Sequence, residues 1–240
     1  MSTLVKNKVG LTNNQLKIIA TISMLFDHMG LFLFPGVAAF RILGRIAFPI
    51  YAFLIAEGCK YTRNRKKHLG LIAGMGIAYQ IVYTVMFNDW YINILLTFSL
   101  AIALIYAIES FVKNKSTANR ILMLLAIGSI FFVGYLCPII FEDYGFYIDY
   151  GIWGITLPAL MYLCKGKWTR IVFLVLFLAA RACFVPSIHL YTFLSVPFIA
   201  LYNGERGKAK MKYFFYIFYP LHMVLLYGIA MLIYIIGRSH

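Results

Sequence analysis

Long apolar runs, separated by short polar connectors, occupy most of the chain. A helix that crosses a membrane needs about 20 apolar residues. On that measure the runs predict nine membrane-spanning helices, the eighth of them short enough to be re-entrant instead. They lie at roughly 15–35, 42–59, 69–87, 91–112, 121–138, 148–164, 171–186, 190–203 and 213–236. The pattern predicts an all-α membrane bundle that forms a single domain over residues 1–240.

Composition agrees with a polytopic membrane protein. The 240 residues are 62% hydrophobic and 12% charged, whereas a soluble domain is about half apolar and a quarter charged. The net charge of +14 would suggest nucleic-acid binding in a soluble protein. Here the basic residues lie in connectors between apolar runs, so we expect them to set membrane topology and expect no nucleic-acid partner.

The connectors alternate in charge along the chain. The basic ones are 60–68, 113–120, 165–170 and 203–212, and Lys6 and Lys8 add to their side. The connectors between them carry no Lys or Arg and lie at 35–40, 88–91, 141–149 and 185–190. Basic loops stay in the cytoplasm. The pattern predicts a multi-pass protein of the plasma membrane, with residues 1–14 cytoplasmic and the carboxy terminus outside. We expect this membrane to be the cytoplasmic membrane of a bacterium.

Two features of the first apolar run predict where its helix begins and which faces of the helix carry ionisable side chains. Thr12 and Gln15 have capping-box spacing, which predicts that the helix begins near Asn13. His28 follows Lys17 by eleven residues, which places it about 16 Å deeper and on the same helical face. Asp27 is rotated by about 100° from His28, so we expect it to pair with the next helix instead.

Ionisable side chains inside a bilayer cost at least a few kcal/mol each and are functional candidates by default. Asp27 has Arg41 and Arg45 as its expected partners, and an interhelical ion pair is as good an explanation for it as catalysis. Arg181 and His222 reach a depth similar to that of His28. The full set is Asp27, His28, Arg41, Arg45, Glu57, Asp149, Arg181 and His222.

Several stretches in order resemble the TraX family of integral-membrane acetyltransferases. They are "LKIIATISMLFDHMG", "FRILGRIAFPIYAFLIAEGCKYTRNRKKHL", "NILLTFSLAIAL", "DYGIWGI" and "FYIFYPLHMVLLY". That family is similar to the wider acyltransferase-3 group, whose first helix carries a basic residue, ten intervening residues and a His. Lys17 and His28 have this spacing, with Lys in place of the usual Arg.

The resemblance implies acetyl transfer from cytosolic acetyl-CoA to an amine or hydroxyl reached from outside. The acceptor would be a pilin-like peptide, a glycan or a lipid-linked sugar. The implied catalytic residues are His28 as general base, with Asp27, Arg45 and His222. The implied acetyl-CoA contacts are Lys17, Arg41, Arg63, Lys66, Lys67 and Arg181, and the implied acceptor contacts are Asp149, Tyr150 and Glu57. No metal is expected, and a homo-oligomer is left open.

Two other functions fit the same buried charges. One is a proton-coupled transporter, because intramembrane Asp, His and Arg also form proton relays. The other is a non-catalytic membrane assembly protein in which the charges fix helix pairing. Transporters often show inverted repeats, and no internal repeat is evident in this sequence.

Overall fold

The computed structural model describes residues 9–87, 89–208 and 212–238. Lys6 and Lys8, most of the predicted segment 1–14 and parts of connectors 88–91 and 203–212 lie outside the described residues. In the described residues, the regular secondary structure is helical apart from two strands of two residues each, which confirms the all-α class. The protein is a membrane protein with several apolar helices.

The helices follow the predicted apolar runs in order. They are α1 (Asn13–Phe32), α2 (Ala38–Gly44), α3 (Ala47–Tyr61), α4 (Arg65–Phe87), α5 (Ile94–Lys113), α6 (Thr117–Phe131), α7 (Cys137–Ile140), α8 (Gly151–Leu163), α9 (Lys167–Ala182), α10 (Val196–Ala200) and α11 (Lys212–Arg238). A π-helical turn, Phe132–Leu136, joins α6 to α7, and 3₁₀ turns cover Glu142–Tyr144 and Ser187–Ser195. The strands are β1 (Tyr91–Ile92) and β2 (Tyr147–Ile148).

The capping box predicted at the start of α1 is confirmed. The Gln15 backbone N–H donates to the Thr12 hydroxyl oxygen at 3.3 Å, and the Thr12 backbone N–H donates to Gln15 Oε1 at 2.8 Å. Two backbone donors that the first turn would leave unpaired are thus satisfied reciprocally. The helix begins at Asn13, where the sequence placed it.

The predicted second span is not one continuous helix. It breaks between α2 and α3 at Arg45 and Ile46, whose backbone N–H groups bond three residues back, to Ile42 and Leu43. Pro49 explains the break, because it has no N–H to offer the Arg45 carbonyl and its ring crowds that carbonyl. The stretch Ala38–Tyr61 as a whole is nevertheless long and apolar enough to cross a membrane, in agreement with the predicted span 42–59.

Nine full spans are not confirmed. Within the described residues, five helical stretches are long and apolar enough to cross a membrane: Ala38–Tyr61, Arg65–Phe87, Ile94–Lys113, Thr117–Ile140 and Ile217–Arg238. The predicted span 15–35 corresponds to α1, which has 20 residues and is not among these five. The predicted spans 148–164, 171–186 and 190–203 correspond to shorter helices. With 13 residues, α8 is only about 20 Å long, against a hydrocarbon core of about 30 Å.

The chain divides into two compact units, so the predicted single domain stays a prediction. The first unit comprises residues up to Tyr51 and from Leu174 onward. In it α1 packs against α2 and α11. Leu11 pairs with Tyr202, and backbone bonds of 2.8 and 2.9 Å join Leu11 to Leu201 and Asn203. The start of the chain and the connector after α10 therefore lie at the same end of this unit.

The second unit runs from Ala52 to Phe173 and is organised around α5, which packs against α4, α6 and α8. Strands β1 and β2 pair in parallel, with Tyr91 opposite Tyr147 and Ile92 opposite Ile148. This pairing brings together two connectors that carry no Lys or Arg. They were predicted to lie on the same side of the membrane, and the structure places them at the same end of the unit.

Candidate functional site

The first unit holds a partly buried ion-pair cluster between α1 and α2. Asp27 Oδ1 lies 2.5 Å from a terminal guanidinium nitrogen of Arg45, and Asp27 Oδ2 lies 3.1 Å from one of Arg41. Arg41 also donates to the Asp27 carbonyl oxygen at 3.1 Å, and Arg45 Nε donates to the Arg41 carbonyl oxygen at 3.3 Å. The prediction that Asp27 pairs with the following helix is confirmed for both candidate partners.

Small residues let α1 and α2 approach this closely. A Cβ atom at Gly44 would overlap the Asp27 side chain, and one at Gly30 would lie 2.8 Å from the Phe40 Cβ. The Ser23 hydroxyl donates to the Leu43 carbonyl oxygen at 2.6 Å. The hydroxyl is thereby a second donor, beside the Ile46 backbone N–H, to a carbonyl near the end of α2.

A histidine pair lies beside this cluster, between α1 and α11. His28 Nδ1 and His222 Nε2 are 2.8 Å apart, and His222 Nδ1 lies 2.7 Å from the Phe218 carbonyl oxygen. The His222 ring is buried and stacks on Phe218 with 9° between the ring planes. The structure thus brings together two residues that the sequence placed at similar depth but could not show to be neighbours.

The carbonyl fixes the direction of these hydrogen bonds. Since a carbonyl only accepts, His222 Nδ1 carries a proton, and Nε2 of a neutral His222 is then an acceptor. His28 Nδ1 must therefore be the donor. In a neutral His28 the remaining nitrogen, Nε2, is an acceptor. The pair consequently holds each imidazole in one tautomer.

Pro220 lies within α11, two residues before His222. Its missing N–H deprives the carbonyl of Tyr216, four residues earlier, of a partner. The bond from His222 goes to Phe218 instead. The His222 side chain therefore does not contact the carbonyl that Pro220 leaves without a backbone donor.

The remaining candidates of the first unit are Arg181 and Lys17. Arg181, on α9, is buried and donates to His189 Nδ1 at 3.2 Å, and its guanidinium lies 5.9 Å from the centre of the Phe48 ring. Lys17 is half-exposed in the first turns of α1. His189 follows Arg181 by eight residues, and their contact depends on the turn and the 3₁₀ helix after α9, which nothing in the sequence pattern signals.

The other candidates belong to the second unit. Glu57, 2% exposed, lies 2.5 Å from Arg170, and Arg170 Nε also donates to the Cys164 carbonyl oxygen at 3.0 Å. Sequence reasoning missed Arg170, since nothing along the chain signals a pairing across 113 residues. Glu57 was predicted to contact the acceptor, and the structure gives this carboxylate a partner within the protein.

Asp149 and Tyr150, the other predicted acceptor contacts, lie at the opposite end of the second unit from Glu57. The Asp149 backbone N–H donates to the Ile92 carbonyl oxygen at 2.9 Å, beside the β1–β2 pair. Tyr150 precedes α8 in a left-handed conformation with φ of 58°. The three residues are therefore not brought together. Arg63, Lys66 and Lys67 are exposed around the start of α4 in the same unit.

The family model described as TraX protein matches residues 12–230. The chain belongs to the TraX family. This range contains every candidate residue named above. The relation of TraX proteins to the acyltransferase-3 group, which the spacing of Lys17 and His28 implied, is not shown by the match.

Two relatives of this TraX-family chain extend the comparison. The "probable fimbrial assembly protein FimC, serogroup H1" of Dichelobacter nodosus is 30% identical over 243 aligned residues, which cover 88% of this chain and 93% of the relative. An uncharacterized protein of Rickettsia prowazekii (strain Madrid E) is 33% identical over 121 residues, 48% of this chain and 47% of that protein. No solved structure matches the chain.

These matches contradict the predicted acetyltransferase function. The relative that covers most of this TraX-family chain is named for fimbrial assembly. That name agrees with the alternative the sequence left open, a membrane assembly protein whose buried charges fix helix pairing. Acetyl-CoA binding and a catalytic role for His28, Asp27, Arg45 or His222 stay predictions that no observation tests.

Proposed function

We propose that the chain is a multi-pass protein of the bacterial cytoplasmic membrane that takes part in fimbrial assembly. One observation carries the proposal: the similarity to the Dichelobacter nodosus protein named for fimbrial assembly extends over 88% of this chain. A match of that extent includes parts of both compact units. The function therefore belongs to the whole helical bundle and not to a single segment.

The proposed topology has the amino terminus in the cytoplasm and nine membrane-embedded helical segments. The alternation of basic and non-basic connectors supports it. Within each unit, connectors predicted to lie on the same side of the membrane meet at one end. In the first unit Leu11 pairs with Tyr202, and in the second unit β1 pairs with β2. The shorter helices, such as α8 packed against α5, would be embedded by their neighbours and need not span the bilayer alone.

The buried charges would fix which helices are neighbours. Asp27 ties α1 to the α2–α3 break through Arg45, and Glu57 ties α3 to the start of α9 through Arg170. An ion pair removed from water adds little net stability, but losing one partner leaves a buried charge unpaired. Such pairs disfavour alternative helix arrangements, which suits a protein that must present a defined surface to fimbrial components.

The test is deletion of the gene in its own host, with fimbriae counted by electron microscopy and protein abundance measured by immunoblot. We expect deletion to abolish surface fimbriae and the wild-type gene to restore them. Normal fimbriation in the deletion strain would overturn the proposal.

A His28→Asn variant distinguishes assembly from chemistry. The Asn amide nitrogen can take the position of His28 Nδ1 and still donate to His222. A non-catalytic assembly protein should then support normal fimbriation at normal abundance. Loss of fimbriae with unchanged abundance would show that His28 does more than pack. A Glu142→Gln variant is the matched control, because Glu142 is exposed in the connector after α7.

A further inference from the structure

Every Lys and Arg between residues 52 and 173 lies in one of three connectors of the second unit. Five are in 60–67, three in 113–120 and three in 165–170. Side-chain contacts bring these connectors to one end. Arg65 at the start of α4 pairs with Glu109 near the end of α5, and Lys113 lies 2.7 Å from the same carboxylate. We call the surface formed by residues 60–67, 113–120 and 165–170 the basic end.

Further contacts hold the third connector in place. Tyr162, near the end of α8, lies close enough to Glu109 to interact with its carboxylate. Arg170, at the start of α9, pairs with Glu57 near the end of α3. His68 Nδ1 and the Tyr106 hydroxyl, 2.8 Å apart, link α4 to α5 just beneath. The three basic connectors are therefore parts of one surface.

The cations at this surface exceed the carboxylates available to them. Glu57 is paired with Arg170, and Glu109 is paired with Arg65 and Lys113. The other carboxylates of the unit lie in the connectors around β1 and β2, at the opposite end. The exposed cations of the basic end include Arg63, Lys66, Lys67, Lys115, Lys165 and Lys167.

Apolar and aromatic surface continues directly from the basic end. Tyr61 is 63% exposed and Trp168 is 72% exposed, with Lys60 5.2 Å from the centre of the first ring and Lys167 5.9 Å from that of the second. Exposed Ile121 and Leu122 follow Arg120 on α6. Tyr and Trp favour the boundary between head groups and acyl chains. Cations, aromatic rings and an apolar helix face thus follow one another in the order of a phospholipid's anionic head group, interfacial region and acyl chains.

We propose that the basic end binds the head groups of anionic phospholipids, with phosphatidylglycerol as the test ligand. Each Lys or Arg near an anionic membrane surface strengthens attraction about fivefold, and salt weakens it. A soluble polyanion would match the cations but not the adjoining apolar helix faces. The inference does not depend on the proposed role in fimbrial assembly.

The experiment uses the full chain purified in a neutral detergent. Mixed micelles carry increasing fractions of phosphatidylglycerol or phosphatidylcholine, and retained lipid is counted by native mass spectrometry. We expect selective retention of phosphatidylglycerol. A Lys66→Gln/Lys67→Gln variant should weaken it about 25-fold. Both lysines are exposed, so the variant should fold, and its elution on size exclusion should match that of the wild type.

The matched control is Arg206→Gln/Lys208→Gln, which removes the same charge from an exposed connector of the first unit. Retention should be unchanged in the control. Equal retention of the two lipids, or equal losses in both variants, would overturn the proposal, because net charge and not this surface would then govern binding. Inorganic pyrophosphate serves as a soluble competitor that carries phosphate groups but no acyl chains. Displacement of lipid by millimolar pyrophosphate would show a phosphate site that does not require lipid, and would also overturn it.

Discussion

Asp27 on α1 and Arg45 at the α2–α3 break lie 2.5 Å apart, and the Arg45 side chain is only 6% exposed. Arg41 shares the same carboxylate at 3.1 Å, but its side chain is 30% exposed. The two arginines therefore depend on Asp27 to different degrees. Water can replace Asp27 for Arg41, whereas Arg45 has been withdrawn from water and relies on partners within the protein.

Asp27→Ala should destabilise the first unit strongly. Removing one partner of a buried pair costs about 3–5 kcal/mol, which lowers the melting temperature by roughly 10 °C for a chain of this size. Arg41→Gln should cost about 0–1 kcal/mol, since exposed pairs contribute little. Thermal unfolding in detergent measures both changes. Equal losses in the two variants would mean that burial of Arg45 does not govern the effect.

Gly44→Ala should separate α1 from α2. The added methyl group would overlap the Asp27 side chain, and forcing an extra carbon into a packed contact typically costs about 1–3 kcal/mol. Gly74→Ala on α4 is the control, because a Cβ there meets nothing within 4 Å and Ala is the better helix former. The melting temperature should fall for the first variant and hold or rise for the second. A neutral Gly44→Ala would contradict the close approach of the two helices.

The histidine pair should show energetic coupling. His222→Ala removes both the acceptor for His28 and the donor to Phe218, so we expect a loss of about 1–3 kcal/mol. His28→Ala should add little more once His222 is gone. A double-mutant cycle on the free energy of unfolding should give a coupling energy of about 0.5–3 kcal/mol between His28 and His222. Strictly additive losses would show that the two rings contact each other without stabilising each other.

Glu57→Gln should destabilise the second unit, because Arg170 would lose its carboxylate while the site stays buried. We expect about 3–5 kcal/mol, measured by thermal unfolding. Asp143→Asn, at an exposed residue in the connector after α7, should change stability by no more than about 0.5 kcal/mol. If Glu57 instead serves an external ligand and its pairing with Arg170 is incidental, Glu57→Gln should unfold at the wild-type temperature.

Much of the architecture was predictable because it depends on local rules. Apolar runs gave the order of the helices, and the capping box of Thr12 and Gln15 gave the first residue of α1. The pairing of Asp27 with Arg41 and Arg45 followed from helical rotation, because a residue turned about 100° from His28 must face a different neighbour.

The rest depends on contacts between residues far apart in the chain, which composition and periodicity do not encode. Glu57 and Arg170 are 113 residues apart, and His28 and His222 are 194 apart. Depth along the membrane normal could be estimated for the histidines, but which helices are neighbours could not. Apolar runs such as 148–164 continue beyond their helices into turns and strand β2, so the length of a run did not show which helices are long enough to span the membrane alone.

The π-helical turn at Phe132–Leu136 changes how the fifth apolar run should be read. Pro138 cannot donate to the Gly134 carbonyl, and the chain accommodates this by widening one turn. A widened turn acts as a one-residue insertion in the helical count. Residues before and after it therefore belong to two different helical wheels. If Thr117–Ile140 were drawn on a single helical wheel, the buried Cys137 would be assigned to the wrong face. Lipid-facing positions near Cys137 would then be chosen incorrectly for labelling.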